Sequence, residues 1–180
     1  MKDQLKRVGE EGLYDPQFEH DNCGIGAIID MKGRASHQLV ADALSIVENL
    51  EHRAGKDASG KVGDGVGVLT QISHGFFKKT LKDTDIKIGD EGDYGVGMLF
   101  MPANAMMRTF AMRMFQVITE KEGLKFLGWR KVPTCPGILG EAAVSCMPDI
   151  WQCFIERPRT IGKGIEFDRK LYVVRREFEQ

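Results

Sequence analysis

Cys23 stands where a polar stretch gives way to an apolar one, with Asp21-Asn22 before it and Gly24 after it. A thiol at the start of a buried strand is held rigidly, and a flanking glycine lets a substrate carbonyl come close. Cleavage between Asn22 and Cys23 would free the α-amino group of Cys23. Such an amine has a reference pKa of about 7.7–8.0, suited to a general base. One residue would then supply both nucleophile and base. Cysteine is also among the most buried residue types, and a lone cysteine at a strand end is usually a core residue, so residue type alone favours the core reading of Cys23.

Leu50-Glu51-His52-Arg53 is the second group with chemistry in it. Arg53 could offer its planar fork to a substrate carboxylate, or serve as a basic residue favoured near a helix C-terminus. His52 could act as a base toward an unprocessed Cys23, as in a Cys–His hydrolase, or be an ordinary satisfied histidine. His20, His37 and His74 have no helix-turn spacing to one another or to His52, so no metal site is expected. Gly63-Asp64-Gly65-Val66-Gly67 has the glycine content of a phosphate loop but lacks the Lys-Ser/Thr ending. A strand follows it rather than precedes it, so it fits no dinucleotide fingerprint. A tight turn bringing backbone amides toward Cys23 is the better reading.

Several elements must position these groups. Residues 23–30 read as a buried strand ending at the Lys32-Gly33 turn. Ser36 is an N-cap for a helix from about 37 to 52, with Leu39, Val40, Ala43, Leu44, Val47 and Leu50 at helical spacing and Gly55 as its stop. Residues 55–65 form a loop and 66–72 a second strand, whose glycines suggest close backbone approach. After a polar loop over 83–93, a third strand covers 94–101. Asn104 caps a long helix reaching about Lys121, with Met107, Phe110, Met114, Phe115 and Ile118 on its buried side and Gly123 as its stop. A strand over 126–132, a short helix over 139–146 and strands over 151–155 and 170–178 complete the expected order. A charged loop over 156–169 separates the last two. Helices mixed with a sheet that need not be parallel give an α+β or α/β layered domain.

The chain has 180 residues, 25 basic and 26 acidic, and 42% hydrophobic content. That suits one domain or a large piece of one, with no strong field for nucleic acid or anionic membrane. Cys23, Cys135, Cys146 and Cys153 are not arranged in zinc-ribbon pairs. Residues 1–22 hold no apolar signal segment, and no apolar run approaches the ~20 residues that span a bilayer. The expectation is a cytoplasmic protein with reduced thiols.

The string from Tyr14 through His20-Asp21-Asn22-Cys23-Gly24 resembles the propeptide junction of glutamate synthase large subunits. Gly33 to Arg53, Gly63-Asp64-Gly65 with Val68 to Phe77, Gly128 to Pro133, Leu139-Gly140-Glu141 and Pro148 are also similar to that family. The resemblance implies residues 1–22 as a propeptide and 23–180 as a partial class II glutamine amidotransferase domain. Its implied fold is the αββα sandwich of N-terminal nucleophile hydrolases. It implies Cys23 as the nucleophile attacking the glutamine side-chain amide, through a thioester, with Arg53 and Gly63-Asp64-Gly65 beside the substrate. L-glutamine is the implied substrate, and the remaining glutamate synthase domains or a complementary chain are the implied partners. No Asn-Gly dipeptide occurs for the family's oxyanion hole, and the later carboxylate-holding arginine segment is not found. Family domains are longer, so only their N-terminal part is expected here, with FMN and an iron–sulfur cluster bound elsewhere in a full-length enzyme. The alternative expectation is a non-catalytic fragment, or one half of a split enzyme acting as an interaction module.

Overall fold

The computed structural model describes residues 24–56, 60–63 and 65–180, which divide into two compact units after Thr70. The expected leader over residues 1–22, Cys23 and Asp64 lie outside the described residues.

In the first unit, α1 covers His37–Asn49 and a 3-10 turn follows over Glu51–Arg53. Ser36 caps α1 as expected, its Oγ accepting from the Leu39 amide at 3.3 Å. The turn before it is locked by Asp30. Its carboxylate accepts from the Lys32 amide at 2.7 Å and from Arg34 Nη2 at 2.9 Å, which holds its pKa below the ordinary value. The expected strand over 23–30 does not form: residues 24–30 have no regular secondary structure. Nor does the expected strand over 66–72, and a Cβ at Gly67 would meet nothing within 4 Å, so no close approach explains that glycine. A strand exists only through its ladder. No described residue pairs with either segment, and Ile25, Ile29, Val66 and Leu69 stand exposed.

The second unit, Gln71–Gln180, is built on a three-stranded antiparallel sheet. Its strands are β1 (Tyr94–Met101), β2 (Lys125–Lys131) and β3 (Asp149–Glu156), in the order β1-β3-β2. β1 pairs with β3 along its whole length, from Tyr94↔Glu156 to Met101↔Asp149. β3 is central, and its residues Gln152 to Ile155 are buried. The helices are α2 (His74–Thr80), α3 (Ala105–Lys121), α4 (Glu141–Cys146) and α5 (Ile165–Phe178). On one face of the sheet Phe115 of α3 and Phe167 and Val174 of α5 pack with Cys153 and Ile155. On the other, Phe77 of α2, Leu81 and Ile86 pack with Tyr94 and Phe154. Alternation along the strands delivers side chains to both faces, so β3 feeds two small cores at once. The class is α+β, as expected.

Two boundary signals act as read. Asn104 Oδ1 accepts from the Met106 and Met107 amides at 2.9 and 3.1 Å. Gly123, at φ +76°, ends α3, with Gly123 N–H donating to Glu120 O and Leu124 N–H to Thr119 O. This is the paired closure in which a left-handed residue satisfies the last carbonyls. Gly95 makes room for α5, since a Cβ there would lie 2.6 Å from Leu171 Cδ1 and the Leu171 side chain would have to shift.

Two expectations are corrected. Residues 170–178 are not a strand but the later part of α5. Phe167, Leu171, Val174 and Phe178 recur at helical spacing, all within one core. Glu166 and Asp168 lie in the first turn and Arg175 and Arg176 in the last, complementing the helix dipole. On α3 the buried side is also different. Phe115 and Thr119 are buried and Ile118 packs against that core, whereas Met107, Phe110 and Met114 are exposed. The helix carries two apolar stripes, and only the one beside the sheet is used. Thr119 is tolerated there because its Oγ1 donates to the Phe115 carbonyl at 2.8 Å.

The turn before β1 is pinned to the end of β3. The Arg157 amide donates to the Asp93 carbonyl at 2.9 Å and Arg157 Nε to Asp93 Oδ1 at 3.0 Å, while Lys163 Nζ lies 3.0 Å from Asp93 Oδ2. The Arg157 guanidinium first, then Lys163, holds the Asp93 carboxyl below its ordinary value of 3.8. A depressed carboxylate stabilises fully above its unfolded pKa, and the contribution disappears as pH falls through the lower folded value. Asp93→Asn is therefore expected to lower the melting temperature near neutral pH. The gap from the parent should close below about pH 4. Thermal unfolding of both proteins between about pH 7 and pH 3 checks this; a gap that widens in acid would contradict it.

Candidate active site

The first unit brings several of the sequence-selected residues into one place. Gly24, next after Cys23, lies against α1: a Cβ on it would stand 3.0 Å from Leu50 Cδ2. A Cβ on Gly26 would stand 2.2 Å from Ile46 Cγ2. The two glycines thus let the segment after Cys23 run directly on the C-terminal half of α1. Sequence reasoning gave Gly24 a role toward substrate. The structure adds a packing role and shows Ile46 and Leu50 as the seat, which the Gly-Ile-Gly spacing beside Cys23 could have signalled.

Leu50 is also the residue from which the Glu51–Arg53 turn starts, with Arg53 N–H donating to Leu50 O at 2.9 Å. Arg53 is exposed, its guanidinium available to an anionic group. The imidazole of His52 faces back along the helix, its Nδ1 lying 3.0 Å from the Asn49 carbonyl. A carbonyl only accepts, so Nδ1 carries the proton, and a neutral ring then has its lone pair at Nε2.

The chain beyond Arg53 is closed into a loop by an antiparallel bridge, Lys56↔Gly63. A Cβ on Gly63 would sit 3.0 Å from the Gly55 carbonyl oxygen, so only glycine permits this closure unstrained. Glu51 pairs with Lys56 across the base of the loop, and that contact lowers the Glu51 pKa. Gly65, at φ +85°, continues from the bridge in a conformation that favours glycine. Arg53 and Gly63 therefore share one loop base, each within a few residues of the bridge. Cys23 and Asp64 lie outside the described residues.

The described cysteines are free: Cys135 and Cys146 are exposed and Cys153 is buried. Burial pushes the Cys153 thiol up to about 12, so it stays protonated and inert near neutral pH.

Gly26→Ala is expected to destabilise the first unit by about 1–3 kcal/mol, because Ile46 Cγ2 is held close to the backbone and cannot swing clear. Chemical denaturation of the parent and the variant measures this. A change under about 0.5 kcal/mol would mean that Ile46 repacks freely.

A family model described as glutamine amidotransferases class-II matches residues 23–180. The chain is 38% identical over 169 residues to an NADPH glutamate synthase large chain of Bacillus subtilis, covering 94% of this chain and 11% of that one. It is 37% identical over 173 residues to an NADH glutamate synthase of Schizosaccharomyces pombe, covering 93% of this chain and 8% of that one. It is 36% identical over 168 residues to ferredoxin-dependent glutamate synthase 2 of Arabidopsis thaliana, covering 93% and 10%. The chain thus spans about a tenth of the length of these relatives. The segment that seats Gly24 on α1, the Arg53 turn and the bridged glycine loop all fall inside the matched region, and the chain belongs to the class II glutamine amidotransferases.

Proposed function

We propose that this chain is the glutamine-hydrolysing part of a glutamate synthase, with Cys23 as its nucleophile once residues 1–22 have been removed. The observation that carries the reading is that the family match begins at Cys23, leaving residues 1–22 outside it. The Cys23 thiolate attacks the side-chain amide carbon of L-glutamine, and the C–N bond breaks. The leaving nitrogen takes a proton from the Cys23 α-ammonium and departs as ammonia. Water, deprotonated by the same amine, then opens the thioester to give glutamate and restore the thiol. Arg53 holds the substrate carboxylate, and Gly63-Asp64-Gly65 forms the wall of the site. Ammonia passes to the glutamate-forming parts of the whole enzyme, where FMN and the iron–sulfur cluster would reside. The setting is the cytoplasm.

Intact mass of the protein from its native host tests the first step. Loss of Met1 to Asn22 is the expected result. A full-length mass would leave the α-amine blocked and overturn the proposed base.

A second reading is favoured by the exposed Ile25, Ile29, Val66 and Leu69 in segments without a ladder. Here the chain is a non-catalytic piece, or works only with a complementary polypeptide that pairs with those segments. Glutamine hydrolysis by the processed chain alone would exclude it.

A further inference from the structure

The exposed stripe of α3 has a regular spacing. Met107, Phe110, Met114 and Val117 recur at intervals of three, four and three, and are 60%, 68%, 39% and 50% exposed. These are the a and d positions of the heptad pattern by which one helix seats another. The stripe is separate from the core face of the same helix, where Phe115 and Thr119 are buried. Four apolar anchors on one capped helix suit a single helix laid alongside it better than a long coiled coil.

The charges on α3 say what that helix carries. Arg108 pairs with Asp149 at 3.2 Å and Lys121 with Glu177 at 3.3 Å. Arg113, the remaining cation of α3, flanks the stripe at its middle and has no carboxylate partner among the described residues. Gln116 donates to Glu120 Oε1 at 2.8 Å on the same flank. A second copy laid antiparallel, with Met107 on Val117 and Phe110 on Met114, would set Arg113 beside its own counterpart. Like charges meeting there oppose self-pairing.

We propose that the Met107–Val117 stripe docks an amphipathic helix of another polypeptide, with apolar residues at the same spacing and a carboxylate opposite Arg113. The test uses a fluorescent synthetic helical peptide with leucine at the a and d positions and glutamate beside them, titrated with the full chain. Saturable binding is expected, weakened about tenfold or more by Phe110→Glu and by Met114→Glu. Arg113→Glu should weaken it several-fold and reverse its salt dependence, because added salt then screens a repulsion instead of an attraction. Met107→Glu serves as the second apolar variant if either of the others changes the unfolding temperature. The proposal is overturned if binding is absent or indifferent to these variants. It is also overturned if sedimentation shows a dimer of the chain that Phe110→Glu dissolves, since the occupant is then a second copy.

Discussion

Cys23→Ala is expected to cut glutamine hydrolysis by ~10³-fold or more, the scale on which nucleophile removal acts in enzymes that form a covalent intermediate. The variant should also fail to capture an electrophilic glutamine analogue that the processed parent takes up in a single addition. The other thiols make this a clean experiment. Cys153 is buried and its thiol is pushed up to about 12, so it offers no thiolate near neutral pH. Cys135 and Cys146 are exposed, and they define the outcome that would defeat the proposal: stoichiometric labelling of either one, with Cys23 untouched. Peptide mapping of the labelled protein distinguishes the cases. Blocking removal of residues 1–22 should have nearly the same kinetic effect, because the thiol would remain while its base is tied up in a peptide bond. Activity retained with an intact leader would shift the assignment toward a Cys–His hydrolase using His52.

The second large effect concerns the scaffold. Phe154→Ala is expected to destabilise the second unit by roughly 3–5 kcal/mol. Phe154 lies on the central strand, is fully buried, and meets Phe77 edge-on with ring centroids 5.3 Å apart. That contact fastens α2 to the central strand, beside the contacts of His74 with Tyr94 on β1 and of Phe76 with Arg130 on β2, and the strands on either side hold the neighbours of the void in place. A melting temperature lowered by roughly 10 °C or more should follow for a unit of this size. A drop of only a few degrees would mean that α2 and residues 81–88 relax onto β3. Phe115→Ala probes the opposite face in the same way, since its ring meets Trp129 and Phe178 at 5.4 and 5.1 Å.

Much of the local structure was legible in the residues. Ser36 and Asn104 cap their helices through the hydrogen bonds their side chains are built to accept, and Gly123 stops α3 at a positive φ. Strands expected at 94–101, 126–132 and 151–155 are β1, β2 and β3 to within a few residues. These signals act over a few residues, so they need no knowledge of the rest of the fold. Residues 170–178 misled because Leu171 and Val173 fit an alternating pattern as well as a helical one over so short a window, although Phe178 breaks the alternation. The helical reading needed Phe167 and the charged first turn to be included.

By itself the sequence determined the caps, the turns and which segments alternate. It also determined the candidate chemistry at Cys23 and Arg53, because these depend on residue type and near neighbours. Tertiary structure alone decided which stripe of α3 meets the sheet, that Gly95 makes room for Leu171, and that residues 24–30 and 66–72 stay without a ladder. It also decided that Arg53 and Gly63 share one loop base, through the Lys56↔Gly63 bridge. The physical reason is common to all four. Helical and strand periodicity says that a face is apolar, whereas burial and pairing depend on what another part of the chain places opposite it.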